Sequence, residues 1–196
     1  MNRVILSAST DETILAVTRQ HKLVDLEIEQ QINTEIVGCI YKGVVKNIVP
    51  AVDGIFVDIG IGKNAFLRRK DLLNEKRFPT EGSPILAQVI KSDTDMKGAL
   101  ITEKISMFGK YAVTLSGTGY IGVSKKIRQE SVRKRLKEIG KEICAEHMGL
   151  IIRTAAENAD MDEFRKDITR LKENWDIIQK RFRMEKSPTL LYRESD

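Results

Sequence analysis

The 196-residue sequence predicts an α+β protein in which a small β-meander is followed by a β-barrel and then by a mixed α/β segment. Three observations predict it. Residues 38–103 alternate apolar and polar positions in short runs ended by Gly, Asp or Asn, the pattern of strands joined by tight turns. Ahead of them, residues 3–8, 13–18 and 22–28 alternate in the same way. Behind them, Phe164, Ile168, Leu171, Trp175, Ile178 and Phe182 recur at steps of four, three, four, three and four, drawing one apolar stripe along a helix.

Taken in order, the first three runs form an antiparallel meander around Ser9-Thr10-Asp11-Glu12. A three-stranded piece cannot cover both its faces, so it is expected to pack on the barrel or on further chain. The barrel comprises Gly38 to Ile48, Gly54 to Gly60, Asn64 to Leu67, Gly82 to Val89 and Lys97 to Ile101. Pro50 and Asp53-Gly54 make one turn, and Pro79 to Pro84 a looser connection. In the third segment, strands are expected at Tyr111–Leu115 and Gly149–Thr154. A basic helix with Val132, Leu136, Ile139 and Ile143 on its inner side separates them. Asp160 with Glu163 three residues on marks the start of the last helix, each side chain satisfying free amides of the first turn, and Pro188 ends it. Core packing is the expected role of its aromatic stripe, so Trp175 should be largely buried.

A hydrophobic content of 41% suffices for a buried core. No apolar run approaches the ~20 residues that span a bilayer, and Met1 to Leu6 is soon followed by Asp11 and Glu12. Neither signal peptide nor anchor is expected, and the location expected is cytoplasmic. Cys39 and Cys144 lie far apart and are expected to be buried thiols rather than a disulfide. The charge is uneven: three basic against five acidic residues in 1–33, eleven against nine in 34–104, and nineteen against fourteen thereafter. The densest block is Lys125, Lys126, Arg128, Arg133, Lys134, Arg135 and Lys137, which is either a solvated helix face or an attractor of phosphate.

On small barrels of this kind, nucleic acid crosses the face of the second and third strands, where rings stack on bases. Ile55, Val57 and Ile59 share one side of the second strand and should face inward; Phe56 and Asp58 share the other. An outward Phe56 either stacks on a base or is covered by a neighbouring segment. Other chemistries find little support. Gly60-Ile61-Gly62-Lys63 lacks the earlier Gly and the Ser or Thr of a phosphate-cradling loop and is expected to be a barrel turn. Cys144 and His147 have ligand-like spacing, but only His21 and Cys39 remain as further zinc ligands, so a packed helix end is expected. Asp93 and Asp95 fit a solvated loop. No nucleophile with an adjacent base is evident.

The order Ile40-Tyr41-Lys42-Gly43, Gly54-Ile55-Phe56-Val57-Asp58-Ile59-Gly60, Phe66-Leu67, Lys97-Gly98-Ala99-Leu100-Ile101-Thr102, Met148-Gly149-Leu150-Ile151-Ile152-Arg153-Thr154 and Leu171-Lys172-Glu173-Asn174-Trp175 resembles the amino-terminal part of the bacterial RNase E/G endoribonuclease family. The resemblance covers the whole chain. It implies residues 1–34 as opening strands of an RNase H-like subdomain, residues 35–104 as an OB-fold barrel of the S-one type that binds RNA, and residues 105–196 as an α/β sensor of a five-prime monophosphate. Carried across position by position, the RNA-contacting residues fall on Phe56, Phe66 and Lys97. The phosphate-sensing residues fall on Gly109, Val113, Arg153 and Thr154. The residue types suit those roles: a guanidinium forms paired charge-assisted bonds to phosphate, a hydroxyl adds another, and Gly lets a backbone amide approach. Val113 would touch the terminal base.

The family acts on single-stranded RNA in mRNA decay and ribosomal RNA maturation. Its magnesium-binding carboxylates and the zinc-linking cysteines that join subunits lie downstream of the sensor. Nothing in residues 1–196 aligns with either set, so no catalytic or metal-binding residue and no cofactor is expected in this chain, which is read as binding RNA without cutting it. The partner expected is single-stranded RNA with a five-prime monophosphate, with a homo-oligomer for the full-length family member. An acidic loop, residues 156–160, follows Thr154 and would repel phosphate if it folded over the pocket. The alternative is a non-catalytic S-one module acting as an adaptor; Arg153-Thr154 separates the two, since an adaptor needs no terminal-phosphate pocket.

Overall fold

Alternation in the first 30 residues yields three strands, β1 (Asn2–Ala8), β2 (Glu12–Arg19) and β3 (Lys22–Gln30), paired antiparallel in sequence order with Val4 opposite Val17 and Ala16 opposite Leu26. The computed structural model describes residues 2–8, 12–20, 22–30, 36–94, 97–144 and 148–193. Most of the turn at Ser9-Thr10-Asp11-Glu12, together with His21, Asp95 and His147, therefore lies outside the described residues, and so does the expected boundary at 34–35. Within the meander Val4 and Leu6 are exposed on one side of β1 and Ile5 on the other, as expected of a sheet too small to bury either face. Residues Met1–Ile36 form one compact unit and Val37–Asp196 a second.

In the second unit, the glycine-punctuated runs become β4 (Ile40–Val49), β5 (Gly54–Asp58), β6 (Ala65–Arg68), β7 (Pro84–Lys91) and β8 (Leu100–Thr102). They pair in the order β4-β5-β6-β8-β7, and β7 returns to β4 to close a five-stranded, OB-like barrel. Val45, Ile55, Val57, Leu67, Ala87, Val89 and Ile101 are buried. Closure leaves the barrel proper without a free edge. The turn after β5 is the Gly60–Lys63 segment, where Gly60 and Gly62 take positive φ, as a turn there requires.

The remaining chain forms β9 (Ser106–Phe108), β10 (Ala112–Ser116), β11 (Ile121–Val123), α1 (Glu130–Ile143), β12 (Met148–Ile152), α2 (Met161–Met184) and β13 (Thr189–Tyr192). A four-stranded sheet runs β11-β12-β10-β9, with β11 and β12 parallel and connected through α1. One face packs on the helices: Ile121, Leu150 and Ile152 meet Leu136, Ile139, Phe164, Ile168 and Leu171 in a single core. The fold is thus the mixed α+β arrangement predicted.

Several details differ from the sequence reading. β9, β11 and β13 are additional strands. Arg153 and Thr154 lie just beyond β12 rather than in it. Helix α2 stops at Met184, ahead of the cis Ser187–Pro188 bond. Asp160 caps α2 by accepting from the amides of Asp162 (2.8 Å) and Glu163 (3.2 Å). The Glu163 carboxylate turns instead to the Tyr111 hydroxyl (2.5 Å) and Lys110 (3.2 Å). Trp175 is only half-buried: it lies within the stripe but packs at the edge of the core, where it lines an open pocket with Leu86, Ile105 and Gln179.

The chain's end returns to the barrel. β13 pairs antiparallel with β4, Thr189 opposite Lys42, along the edge of β4 that β5 occupies further on. The buried Lys42 ammonium receives the C-terminal carbonyls of α2, donating to Phe182 O and Glu185 O at 2.6 Å each. A cation is favourable at that end of a helix.

Candidate nucleic-acid interface

The antiparallel register of β5 and β6 sets Phe56 directly opposite Phe66. Their aliphatic neighbours Ile55, Val57 and Leu67 are buried, so both rings stand on the outer side, half-buried, with centroids 5.4 Å apart and planes tilted by 48°. Gly54 makes room for this arrangement, since a Cβ there would overlap the Phe66 ring. The rings line an open cleft of about 640 Å³ together with Lys91, Thr94, Lys97 and Leu100, the last being the register partner of Phe66.

Lys97 is held in the cleft lining by backbone. Its amide and carbonyl bond to Thr94 at 3.2 and 2.8 Å, and the next residue, Gly98, presses against the Asn64 carbonyl where no side chain would fit. Lys63 braces the same loop by donating to Thr94 O (2.9 Å). Among the described residues neither Lys91 nor Lys97 has a carboxylate partner. Two rings and two uncompensated ammonium groups lining one cleft suit a strand whose bases are apolar faces and whose backbone is anionic.

The other predicted group gathers at the end of the four-stranded sheet. The Arg153 amide bonds to Tyr111 O (2.8 Å), fixing it beside β10. Its guanidinium donates to Gly109 O (2.7 Å) and lies 3.5 Å from Lys110 O. These partners are carbonyls, so the charge of Arg153 is oriented without being neutralised. The Thr154 hydroxyl lies 3.1 Å from that of Ser124, which also accepts from the Lys126 amide (3.3 Å). Val113 stands across from both Phe108 and Ile151, which are 56% and 40% exposed, so an apolar row crosses the sheet's outer face two residues short of Arg153. Phe56, Phe66 and Lys97 therefore come together on the barrel, and Gly109, Val113, Arg153 and Thr154 on the second sheet.

Gly109 has a different local role from the one its type suggested. Its amide donates to Ala112 O (2.8 Å) inside the turn, and the place of its missing side chain is taken by the Asp167 carboxylate, 2.5 Å from where a Cβ would be. Asp167, buried on α2, accepts from the amides of Lys110 (3.2 Å) and Tyr111 (2.8 Å) and pairs with Arg170 (3.2 Å), which shapes the turn that meets Arg153. Ser124 and Asp167 are the two residues the sequence reading missed. An acid among Phe164, Ile168 and Leu171 was the available signal for Asp167; Ser124 had none. The acidic loop after Thr154 is partly committed elsewhere, with Ala156 buried and Asp160 capping α2. The Tyr111 hydroxyl and then Lys110 hold the Glu163 carboxyl below its usual range.

No cluster of three metal-ligating side chains occurs among the described residues. Cys144 is partly buried and desolvation pushes its thiol up to about 11, which disfavours the reactive thiolate. No helix among the described residues is long and apolar enough to cross a membrane.

The chain is similar in sequence to known proteins along most of its length. Residues 34–102 match the model of the S1 RNA binding domain, and residues 106–196 that of the Ribonuclease E/G family. Ribonuclease G of Escherichia coli is 33% identical over 208 residues, covering 97% of this chain and 42% of the relative. Ribonuclease G of Haemophilus influenzae is 34% identical over 195 residues, covering 91% and 40%. Ribonuclease E of Synechocystis is 33% identical over 180 residues, covering 87% and 27%. The chain thus spans less than half the length of these curated relatives. With an S1 barrel followed by the family segment in one continuous match, the chain fits the amino-terminal part of Ribonuclease E/G family members.

Proposed function

We propose that this chain is the RNA-recognition part of a single-strand-specific endoribonuclease of mRNA decay and ribosomal RNA processing, working in the cytoplasm. The observation that carries the reading is the open barrel cleft, which half-buried Phe56 and Phe66 line together with exposed Lys97. Bases stack on the two rings while Lys97 meets the backbone. Arg153 and Thr154, with Gly109 shaping the turn, receive the five-prime monophosphate, and Val113 packs on the terminal base. Support for this second site comes from the unneutralised guanidinium and the outward hydroxyl beside it. Residues 1–34, 35–104 and 105–196 serve as the opening of an RNase H-like subdomain, the barrel and the sensor.

Phosphodiester hydrolysis is not assigned to any residue of this chain. Magnesium-assisted attack and the zinc link between subunits of a homo-oligomer belong to a downstream part. The decisive experiment measures binding of short single-stranded RNAs that differ only in carrying a five-prime monophosphate or hydroxyl. The wild-type chain should prefer the monophosphate, and Arg153→Ala should abolish the preference while retaining binding through the barrel. An unaltered preference in Arg153→Ala would remove the sensor reading.

A further inference from the structure

A set of cations on α1 and the loop before it is used by neither the cleft nor the Arg153 pocket. Leu136, Ile139 and Gly140 face the core, so Lys134, Lys137 and Lys141, at steps of three and four, stand on the opposite side of the helix, all exposed. They span about 10 Å of helix axis. In the preceding loop Lys126 and Arg128 are exposed on either side of Ile127, whose buried side chain and amide bond to Ser124 O (3.1 Å) fix the loop. Among the described residues none of these five cations has an ion pair. Glu142 is bound by Arg165 (3.1 Å) and Glu130 faces Arg133 (3.7 Å), while Glu138 stands exposed between Lys134 and Lys141, leaving the face with a net positive charge.

Arg133 provides the contrast. Its guanidinium donates to Ser124 O (2.7 Å) and Ile127 O (3.0 Å), so it builds the loop, whereas the five others only project from it. The loop also touches the pocket, through the Ser124 and Thr154 hydroxyls 3.1 Å apart. The outer arc of α1 carries no apolar residue, which argues against insertion into a lipid surface. It carries no ring either, so it offers nothing to stack on a base. What remains is a row of point charges at phosphate-like spacing, suited to a sugar-phosphate backbone of any sequence.

We propose that the loop after β11 and the outer face of α1 form a second track for the RNA phosphodiester backbone, adjoining the Arg153–Thr154 pocket and indifferent to base and to the five-prime end. It rests on the RNA-binding reading of the chain. The test uses the full chain with Lys134, Lys137 and Lys141 all changed to Gln, and a second variant with Lys126→Gln and Arg128→Gln. Binding of a 30-nucleotide single-stranded RNA, ending in hydroxyl or monophosphate, is followed by fluorescence anisotropy over a salt series, with circular dichroism confirming the fold.

Each phosphate that the protein ceases to neutralise lowers the slope of log affinity against log salt by ~0.7 for single strands. The triple variant should therefore lower it by about 2 for both RNAs and leave the ratio between them as in wild type. An unchanged slope in both variants overturns the track while wild-type binding stands. A weakening confined to monophosphate RNA also overturns it, assigning the lysines to the terminal pocket. If the wild-type chain binds neither RNA, the underlying reading fails as well.

Discussion

Replacing Phe56 and Phe66 by alanine, singly and together, tests the cleft most directly, because the two rings face each other across a strand pair at 5.4 Å. Stacking of a base on one such ring is worth about 1–3 kcal/mol, so each single variant should lose about 5- to 150-fold in affinity for single-stranded RNA. The rings also orient one another, an interaction of about 0.5–1.5 kcal/mol between aromatic pairs. Once one is gone, the other is less well placed, and the double variant should lose less than the sum of the single losses by roughly that amount. Neither ring is in the barrel interior, where Ile55, Val57 and Leu67 are fully buried, so the stability cost should stay below the ~3–5 kcal/mol of a core Phe→Ala change. Anisotropy titrations with a short oligonucleotide give the affinities, and urea denaturation the stabilities. Single variants that bind RNA within twofold of wild type, while remaining folded, would refute the cleft as the binding surface.

Other consequences concern the scaffold. Lys42→Met keeps the buried stem but leaves the carbonyls of Phe182 and Glu185 without their donor; with charged hydrogen bonds worth about 1.5–3 kcal/mol, urea denaturation should show a loss in that range, and a loss under ~0.5 kcal/mol would contradict the assignment. The Glu163 carboxyl is lowered in the folded chain, so its stabilisation is present above the unfolded value of ~4.3 and disappears as pH falls through the folded one. Glu163→Gln should accordingly be less stable than wild type at pH 7 and indistinguishable at pH 2, which thermal melts at the two pH values can check. With its thiol at about 11, Cys144 should react with iodoacetamide at pH 8 roughly 200-fold more slowly in the folded chain than in urea, as read by peptide mass spectrometry.

The sequence made visible whatever a periodic run of adequate length encodes. Ten residues of β4 and 24 of α2 announce themselves, as does the outward turn of Phe56 between buried Ile55 and Val57. Three-residue β9 and β11 are too short to show a period, and β13 exists only because it finds β4 some 150 residues earlier. Arg153 and Thr154 were legible as residue types, but what surrounds them was not. Ser124 reaches Thr154 because β11 lies parallel to β12, with the Ser124 amide bonded to Ile152 O (2.8 Å), a pairing that local sequence does not encode. Gly109 likewise owes its place to Asp167, 58 positions away, whose carboxylate occupies the space beside it.

Strand β4 links the two candidate surfaces physically. Its first residue, Ile40, is buried in the core formed by α1, α2 and the four-stranded sheet, together with Leu191 of β13. Its later part carries Asn47 and Ile48 opposite Phe56 and Ile55, and so supports the strand that presents a ring to the cleft. Between these ends, Lys42 closes α2, and Arg181 of the same helix donates to Leu190 O (3.0 Å) and to Leu191 O, clasping β13 against β4. The barrel strands end in sequence near residue 104, yet the edge of β4 is completed only by residues 189–192. A chain ending before them would leave the edge at Ile40–Lys42 unpaired and the Arg181 guanidinium without the Leu190 and Leu191 carbonyls, both costly in a part-buried setting. Cleft and pocket thus belong to one folding unit because the polar needs of a single strand and a single helix end are met only when barrel and α/β segment are both present.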